Sequence, residues 1–194
     1  MKKFVLAAAL FLVGAAQAQS VYPTMDAKPL HFLLGAGLSA GGDKLASALY
    51  TNGQSIDIRA GSGVYLTAGA DYRIHPQFSI QATVNYHVDD TNASNDNIRF
   101  ERYPIELLGY YHVNQQWRVG GGVRYVSGPK LHSSGVFRGL DFEFDSTTSG
   151  VVEAEYFYSP RLGIKLRYVN ESFKAARMGD FDGSHVGASA NFYF

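Results

Sequence analysis

The chain has 194 residues, in which 17 lysines and arginines balance 17 aspartates and glutamates, and it contains no cysteine. Balanced charge gives no electrostatic reason to expect nucleic acid as a partner, and the lack of cysteine excludes disulfides. After the first twenty residues no apolar stretch approaches the roughly 20 residues of a membrane-spanning helix, whereas 13 phenylalanines, 13 tyrosines and 21 glycines favour strands and tight turns.

Residues 1–18 have the three parts of a secretory signal peptide. Two lysines make a short positive start, the apolar stretch FVLAAALFLVGAA follows, and the tripeptide AQA at 16–18 matches an A-x-A cleavage site. Removal of this segment leaves 15 basic residues (17 less the two lysines) against 17 acidic ones. We expect the rest of the chain to consist of a short N-terminal segment, 19–30, and one folded domain, 31–194.

Apolar and polar residues alternate with a period of two through most of this domain, which is the pattern of half-buried strands. In the last segment, for example, Val186, Ala188 and Ala190 lie on one face and Gly187 and Ser189 on the other. The alternation predicts eight strands: 32–40, 56–72, 78–87, 102–112, 117–125, 152–158, 164–169 and 185–194.

Short and long connections alternate between these predicted strands. The short ones are residues 75–77, 113–116 and 159–161, and the long ones are about 41–55, 89–97, 127–150 and 173–183. Short connections have the turn chemistry of antiparallel neighbours. The pattern predicts an all-β fold, an eight-stranded antiparallel up-and-down β-barrel with turns at one rim and long loops at the other.

An aromatic spacing distinguishes a membrane barrel from a water-soluble one. On three consecutive strands an aromatic residue recurs eight positions later on the same face, in the pairs Phe78 and Tyr86, Tyr103 and Tyr111, and Trp117 and Tyr125. Eight residues in a tilted strand span about 20 Å, close to the ~25 Å apolar band between two aromatic girdles. A soluble barrel with an apolar interior has no need for this spacing, so we predict a transmembrane barrel.

These features resemble the small eight-stranded outer-membrane proteins of Gram-negative bacteria, a porin-like group with OmpA-, OmpX- and OmpW-type members. The stretches RYPIELLGYYHVNQQWRVGGGVRY and EAEYFYSPRLGIKLRY resemble its strand-turn-strand units, and the ending ANFYF resembles its final strand. The resemblance implies an outer-membrane location with both termini periplasmic, 19–30 included. It implies outer-membrane lipid and lipopolysaccharide as surroundings, and an assembly signal at Phe192 and Phe194 for the barrel-assembly machinery. We expect no cofactor.

Charged residues of both signs occupy the predicted inward face. The basic ones are Arg59, Arg73, Arg118, Arg124, Lys165 and Arg167, and the acidic ones are Asp57, Asp71, Asp89, Glu106, Glu153, Glu155 and Glu171. Counted from the short turns, Glu106, Arg124, Glu153 and Arg167 lie at one height with alternating sign. We expect a charge ladder of these four with Glu155, Lys165 and Arg118, because unpaired charges in a narrow lumen are costly. The alternative is a narrow pathway whose selectivity these charges set.

The sequence offers weak signals for catalysis or metal binding. The histidines are scattered without a short-range ligand pair, so we predict no metal site. The segment LHSS at 131–134, followed by Asp141, Glu143 and Asp145, has the residue types of a lipid A-modifying hydrolase. We predict a non-enzymatic barrel with a polar, largely plugged lumen, for envelope integrity or surface interaction; the sequence does not identify a surface ligand. The alternatives are a narrow porin-like channel for small or apolar solutes and, third, a lipid A-modifying enzyme.

Overall fold

The computed structural model describes residues 29–49, 55–93, 96–134, 142–175 and 179–194. The predicted signal peptide, 1–18, lies outside these ranges, as does most of the predicted N-terminal segment, so both stay predictions. Within the described ranges, no helix is long and apolar enough to cross a membrane.

The described residues form fifteen strands. In chain order they are β1 (Leu30–Gly41), β2 (Lys44–Leu49), β3 (Ser55–Arg59), β4 (Gly63–His75), β5 (Phe78–Ala93), β6 (Asp96–Arg102), β7 (Pro104–His112), β8 (Trp117–Val126), β9 (Lys130–Ser134), β10 (Phe142–Glu143), β11 (Thr147–Ser159), β12 (Leu162–Asn170), β13 (Ser172–Ala175), β14 (Gly179–Asp182) and β15 (His185–Tyr193).

Eight of these strands form a closed antiparallel wall in the order β1, β4, β5, β7, β8, β11, β12 and β15. Each pairs with the next along the chain, and β15 returns to β1 in a register that runs from Leu33↔Tyr193 to Gly41↔His185. The backbone of Phe194 adds two hydrogen bonds of 2.9 Å to the backbone of Phe32. The predicted eight-stranded up-and-down barrel is therefore confirmed, and the wall has no free edge.

The wall has apolar residues outside and polar residues inside, the reverse of a water-soluble barrel. On β7 the side chains are alternately buried and exposed along the whole strand. Ile105 and Leu107 are exposed on the outer surface, whereas Glu106 is 3% exposed in the lumen. This inversion requires an apolar medium around the wall.

The predicted strand over 56–72 is wrong in part, because it is two strands. β3 ends at Arg59 and β4 begins at Gly63, whose φ of +129° is the conformation that glycine allows at a break. Ile58 is consequently buried away from the lipid-facing surface, whereas Val64 is exposed on it. Asp57 and Arg59 were predicted to face the lumen but lie in the β2–β3 hairpin. There Asp57 Oδ1 forms an ion pair with Lys44 Nζ at 2.8 Å.

The four long connections are largely strands, although they were predicted as loops. They form the β2–β3 hairpin, the extension of β5 with β6, the β9–β10 pair and the β13–β14 hairpin. Backbone hydrogen bonds join them: Asp43 N donates to Asp182 O (2.6 Å), and Asp145 N donates to Lys174 O (2.9 Å). We call these four connections together the cap.

The cap has an apolar core of its own at the rim opposite the short turns. Phe144 packs against Phe100, Phe173 and Phe181 with ring centroids 5.5, 6.1 and 5.9 Å apart. All four connections supply residues to this core, which comprises Leu45, Ile58, Ala60, Phe100, Val126, Leu131, Phe144, Phe173 and Phe181. The protein therefore has two separate interiors, a polar lumen inside the wall and an apolar core in the cap.

Candidate functional site: the charged lumen beneath the cap

Ten buried side chains of alternating charge run through the lumen from the short-turn end to the cap. We call them the ladder, and in spatial order they are Asp71, Arg118, Glu155, Lys165, Glu153, Arg167, Glu106, Arg124, Glu171 and Arg102. Consecutive members are separated by N–O distances between 2.6 and 4.0 Å. None is more than 7% exposed, and five acidic residues balance five basic ones.

Strand register brings several of these charges together. Glu106 lies directly opposite Arg124 on β8, and Glu153 directly opposite Arg167 on β12. Glu155 has Lys165 on one side and Arg118 on the other. Direct neighbours on one face of an antiparallel pair are close enough for their side chains to interact. The alternation along each strand and the pairing between neighbouring strands are therefore sufficient to bring these charges together, without contacts across the lumen.

Arg118 organises the short-turn end of the ladder. Its guanidinium bonds to Asp71 Oδ2 (2.6 Å), Glu155 Oε2 (2.7 Å) and the Tyr193 hydroxyl (2.7 Å). The same group lies 4.1 Å from the centre of the Tyr110 ring. Arginine suits this position because its planar guanidinium donates several hydrogen bonds and also stacks on aromatic rings.

The middle of the ladder combines ion pairs with neutral hydrogen bonds. Lys165 Nζ lies 2.9 Å from Glu153 Oε2 and donates to Tyr110 Oη (2.9 Å) and to Gln81 Oε1 (3.0 Å). Tyr110 in turn donates to Glu153. These bonds use all three donors of the lysine, so this buried charge is both paired and hydrogen-bonded.

Glu106 and Glu171 bridge arginines in the half of the ladder nearer the cap. Glu106 accepts from Arg124 through Oε1 and from Arg167 through Oε2, at 2.7 Å each. Glu171 accepts from Arg124 Nε at 3.0 Å, and its other oxygen lies 4.0 Å from Arg102. Each carboxylate therefore serves two cations, which makes the ladder continuous.

Arg102 joins the ladder to the cap. It is fully buried, and its guanidinium donates to the backbone oxygens of Ala60 and, at 2.9 Å, Ser62. It also lies 4.8 Å from the ring centre of Phe100 in the cap core. In the extension of β5 that belongs to the cap, burial raises the pKa of the Asp89 carboxyl, and a hydrogen bond from the Arg59 backbone N–H (3.0 Å) partly offsets this rise.

All seven predicted ladder residues line the lumen and belong to one network. Asp71 and Glu171 were predicted on the inward face but not in the ladder, and Arg102 was missed. The alternation of Arg102 with Tyr103 was a signal for Arg102, but its bonds to the turn between β3 and β4 depend on a contact distant in sequence. Arg73 lies at the short-turn end of the lumen beside His112, at 3.1 Å.

The predicted girdle residues lie at two heights on the outside of the wall. Phe78 contacts Tyr111 at the short-turn end (ring centroids 5.4 Å), and Tyr86 contacts Tyr103 at the cap end (5.3 Å). Trp117 lies at the short-turn end of β8 and Tyr125 at its cap end. Phe192 and Phe194, the predicted assembly signal, are exposed at the short-turn end. Their role as a signal stays a prediction.

The predicted hydrolase residues do not form a described site. His132, Ser133 and Ser134 belong to β9, which pairs with β6 in the cap, and Asp141 lies outside the described residues. Glu143 pairs across to Lys130 in the same strand set. In the part of the chain that the structure describes, no three or more histidine, aspartate or glutamate side chains are grouped to hold a metal ion.

Comparison with known proteins decides the family. A family model described as an outer membrane protein beta-barrel domain matches residues 5–194. The chain belongs to the outer-membrane β-barrel family. This confirms the resemblance found in the sequence, and family members are proteins of the Gram-negative outer membrane. No curated protein gives a significant sequence match.

Solved structures share the architecture at low sequence identity. Ail, the attachment invasion locus protein of Yersinia pestis, solved with the heparin analogue sucrose octasulfate, has a TM-score of 0.58 and 11% identity over 85% of this chain and 97% of that one. Neisserial surface protein A has a TM-score of 0.49 and 13% identity over 86% of this chain and 98% of that one. The likeness to Ail supports the fold and says nothing about a shared ligand.

Proposed function

We propose that the protein is a non-enzymatic outer-membrane barrel with a plugged lumen, which contributes to envelope integrity or presents its cap for surface interaction. The observation that carries this proposal is the continuity of the ladder. Ten paired charges extend from Asp71 near the short turns to Arg102 beneath the cap. An eight-stranded barrel has an interior just wide enough for side chains to fill, and here paired side chains fill it.

The energetics of the ladder oppose a static open pathway. A permeating ion would have to displace partners from charges that are almost fully buried, and an unpaired buried charge is strongly unfavourable. The cap core then covers one mouth with aromatic side chains. These two barriers lie in series, so removal of either one leaves the other in place.

The proposed orientation has both termini in the periplasm and the cap outside the cell. Three short turns lie at one rim, and the four long connections lie at the other. Bacterial barrels have short periplasmic turns and longer extracellular loops. The β15 end and the β1 start share the short-turn rim, as the pairing Leu33↔Tyr193 indicates. In this orientation, we expect lipid and lipopolysaccharide to cover the outer face, and the barrel-assembly machinery to recognise Phe192 and Phe194.

A planar bilayer experiment tests the plug. The purified protein should give no reproducible conductance, and steady single-channel steps would favour the narrow channel instead. The matched control is the variant Tyr110→Ala/Lys165→Ala/Phe144→Ala/Phe173→Ala, which removes side chains from both barriers, the middle of the lumen and the cap core. Conductance from this variant but not from the parent shows that the assay detects an opened barrel.

The enzyme alternative has a separate test. Mass spectrometry of lipid A from cells with and without the protein should show identical acyl patterns. A difference that disappears in His132→Ala would replace the proposed function with lipid A modification.

A further inference from the structure

Two buried histidines lie in the lumen immediately beneath the cap. His87 on β5 and His185 on β15 are 1% and 3% exposed, and their ring centroids are 5.5 Å apart. His185 packs against the turn that follows β3, because a Cβ atom at Gly61 would lie 2.8 Å from the His185 Cβ. The two rings therefore form part of the floor beneath the β2–β3 hairpin.

The charged groups that face these rings are cationic. Both rings interact electrostatically with three arginines, Arg102 from β6, Arg124 from β8 and Arg167 from β12. Arg124 Nη2 lies 3.5 Å from His87 Nδ1. Two neutral groups also contact His87: Ser39 Oγ from β1 lies 2.8 Å from Nε2, and the centre of the Tyr65 ring from β4 lies 5.6 Å from the centre of the His87 ring.

The nearby carboxylates are engaged elsewhere. Glu171 accepts from Arg124 and from the Ser149 hydroxyl (3.0 Å each). Glu106 bridges two arginines, and Asp89 accepts from the Arg59 backbone N–H. The partners recorded for His87 and His185 within the described residues include no carboxylate.

The hydrogen bonds of both rings fit the neutral imidazole. A guanidinium only donates, so His87 Nδ1 beside Arg124 carries no hydrogen and Nε2 donates to Ser39. His185 Nδ1 donates to the Gly183 carbonyl at 2.7 Å. A second proton on His87 would point its N–H at the guanidinium, and both imidazolium ions would lie among three arginines.

Arg102 connects this layer to the cap. It lies directly opposite His87 in the β5–β6 register, and its guanidinium holds the backbone of Ala60 and Ser62. Among the described residues, Arg102 Nε and Glu171 Oε2 are buried without a hydrogen-bond partner. The hydrogen bonding of the charged groups next to the cap is therefore less complete than that of the charged groups around Arg118 and Lys165.

We propose that acid opens the cap: protonation of His87 and His185 places two further positive charges among three arginines, which releases Arg102 from the turn between β3 and β4. The open state hydrates both rings and so binds more protons than the closed state, and a fall in pH favours the state that binds more protons. Asp89 acts in the opposite direction, because burial raises its pKa and acid removes a charge that is costly when buried. Two histidines outweigh this one carboxyl, which already has a hydrogen-bond donor. The proposal concerns the cap alone and stands whether or not the lumen conducts.

A single introduced thiol tests the proposal, since the natural chain contains no cysteine. Ala60→Cys places a small side chain in the cap core, where Ala60 is 0% exposed. Asp180→Cys on the exposed β14 hairpin is the matched control for the effect of pH on the reagent. Both variants are reconstituted in lipid and reacted with dithiodipyridine, which reacts with thiols at acid pH, at about pH 7 and about pH 4.5, on either side of the ordinary histidine pKa.

We expect the ratio of two thiol modification rates, that of the Ala60→Cys variant over that of the control, to rise about tenfold on acidification. This rise corresponds to a total difference of one unit in histidine pKa between the closed and open states. His87→Gln with His185→Asn, both permanently neutral, should abolish the rise. His112→Gln should leave it unchanged, because His112 lies at the opposite end of the lumen beside Ser79. An unchanged ratio in the parent, or an equal rise without the two histidines, would overturn the proposal.

A single variant covers the case in which the double variant does not fold. His185→Asn retains the His87 bonds to Ser39 and Arg124, and folding is checked by the heat-dependent gel migration typical of barrels. Its rise on acidification should be smaller than that of the parent. A full tenfold rise in folded His185→Asn would assign the acid response to other groups and so contradict the proposal.

Discussion

Glu106 and Arg124 lie directly opposite each other on neighbouring antiparallel strands, and Glu106 Oε1 accepts a hydrogen bond of 2.7 Å from Arg124 Nη1. Both side chains are almost completely buried, and each also contacts a further ion of opposite sign. Strand register brings this pair together, and the further contacts of the pair with Arg167 and Glu171 connect it to the rest of the ladder.

Glu106→Gln should destabilise the barrel without opening it. The change removes the negative charge shared by Arg124 and Arg167, and loss of one partner from a buried pair typically costs about 3 kcal/mol or more. The measurement is the free energy of unfolding by urea in lipid vesicles. Glu101→Gln is the control, because its pair with Arg99 (2.9 Å) is part-exposed and worth about 0–1 kcal/mol. Equal stability of Glu106→Gln and the parent would contradict a structural ladder.

Reversal of the pair should fail to restore stability. In Glu106→Arg/Arg124→Glu the two new charges still attract each other, but the new arginine faces Arg167 and the new glutamate faces Glu171. A solvent-exposed pair tolerates such a swap, because water screens its charges from their neighbours. Lys44→Asp/Asp57→Lys in the β2–β3 hairpin is the matched control, since Arg59 lies 3.9 Å from Asp57 but is half exposed. We expect the lumen swap to be less stable than either the parent or the control swap in the same urea titration. Full stability of the lumen swap would show that the pairs act independently.

Arginine substitutions on the outer face should cost more near the middle of the wall than at its rim. Leu107 and Tyr111 are on the same face of β7, with Tyr111 at the short-turn girdle. Leu107→Arg should cost about 2–4 kcal/mol and Tyr111→Arg about 0–1 kcal/mol, because the charge reaches the interface only near the rim. Unfolding in vesicles measures both. Similar costs at both positions would be inconsistent with the proposed depth of the wall.

Phe194→Ser should reduce assembly in cells more than stability in vitro. The backbone hydrogen bonds of Phe194 to Phe32 do not use the side chain, so refolding into detergent should be close to that of the parent. If the terminal aromatic is an assembly signal, the amount of barrel in the outer membrane should fall several-fold. Phe78→Ser is the control at the same girdle, with similar exposure. Equal losses in cells for both variants would assign the effect to stability.

The architecture followed from the sequence because a membrane wall imposes a strict period. Each strand must present apolar side chains to lipid and polar ones to the lumen, so alternation indicates both the strand and its faces. The turn and loop lengths gave the up-and-down order. Cross-strand neighbours such as Glu106 and Arg124 could be predicted for the same reason, since counting from a short turn gives the height of a residue on both strands.

The cap could not be predicted in this way. Phe100, Phe144 and Phe173 are separated by polar, loop-like sequence, and no period links them. They meet because three different connections fold over the same rim. The predicted strand over 56–72 failed at the same boundary, since Ile58 follows the wall's alternation in sequence but packs in the cap.

The sequence by itself determined a chain whose strands alternate every second residue, whose outer aromatics recur at membrane spacing, and whose inner charges balance. The tertiary structure alone decided that these charges connect from Asp71 to Arg102, and that Arg102 binds the turn that follows the β2–β3 hairpin. The physical reason is that alternation and turn length are local, whereas contacts across the lumen depend on the stagger of strands that are distant in the chain.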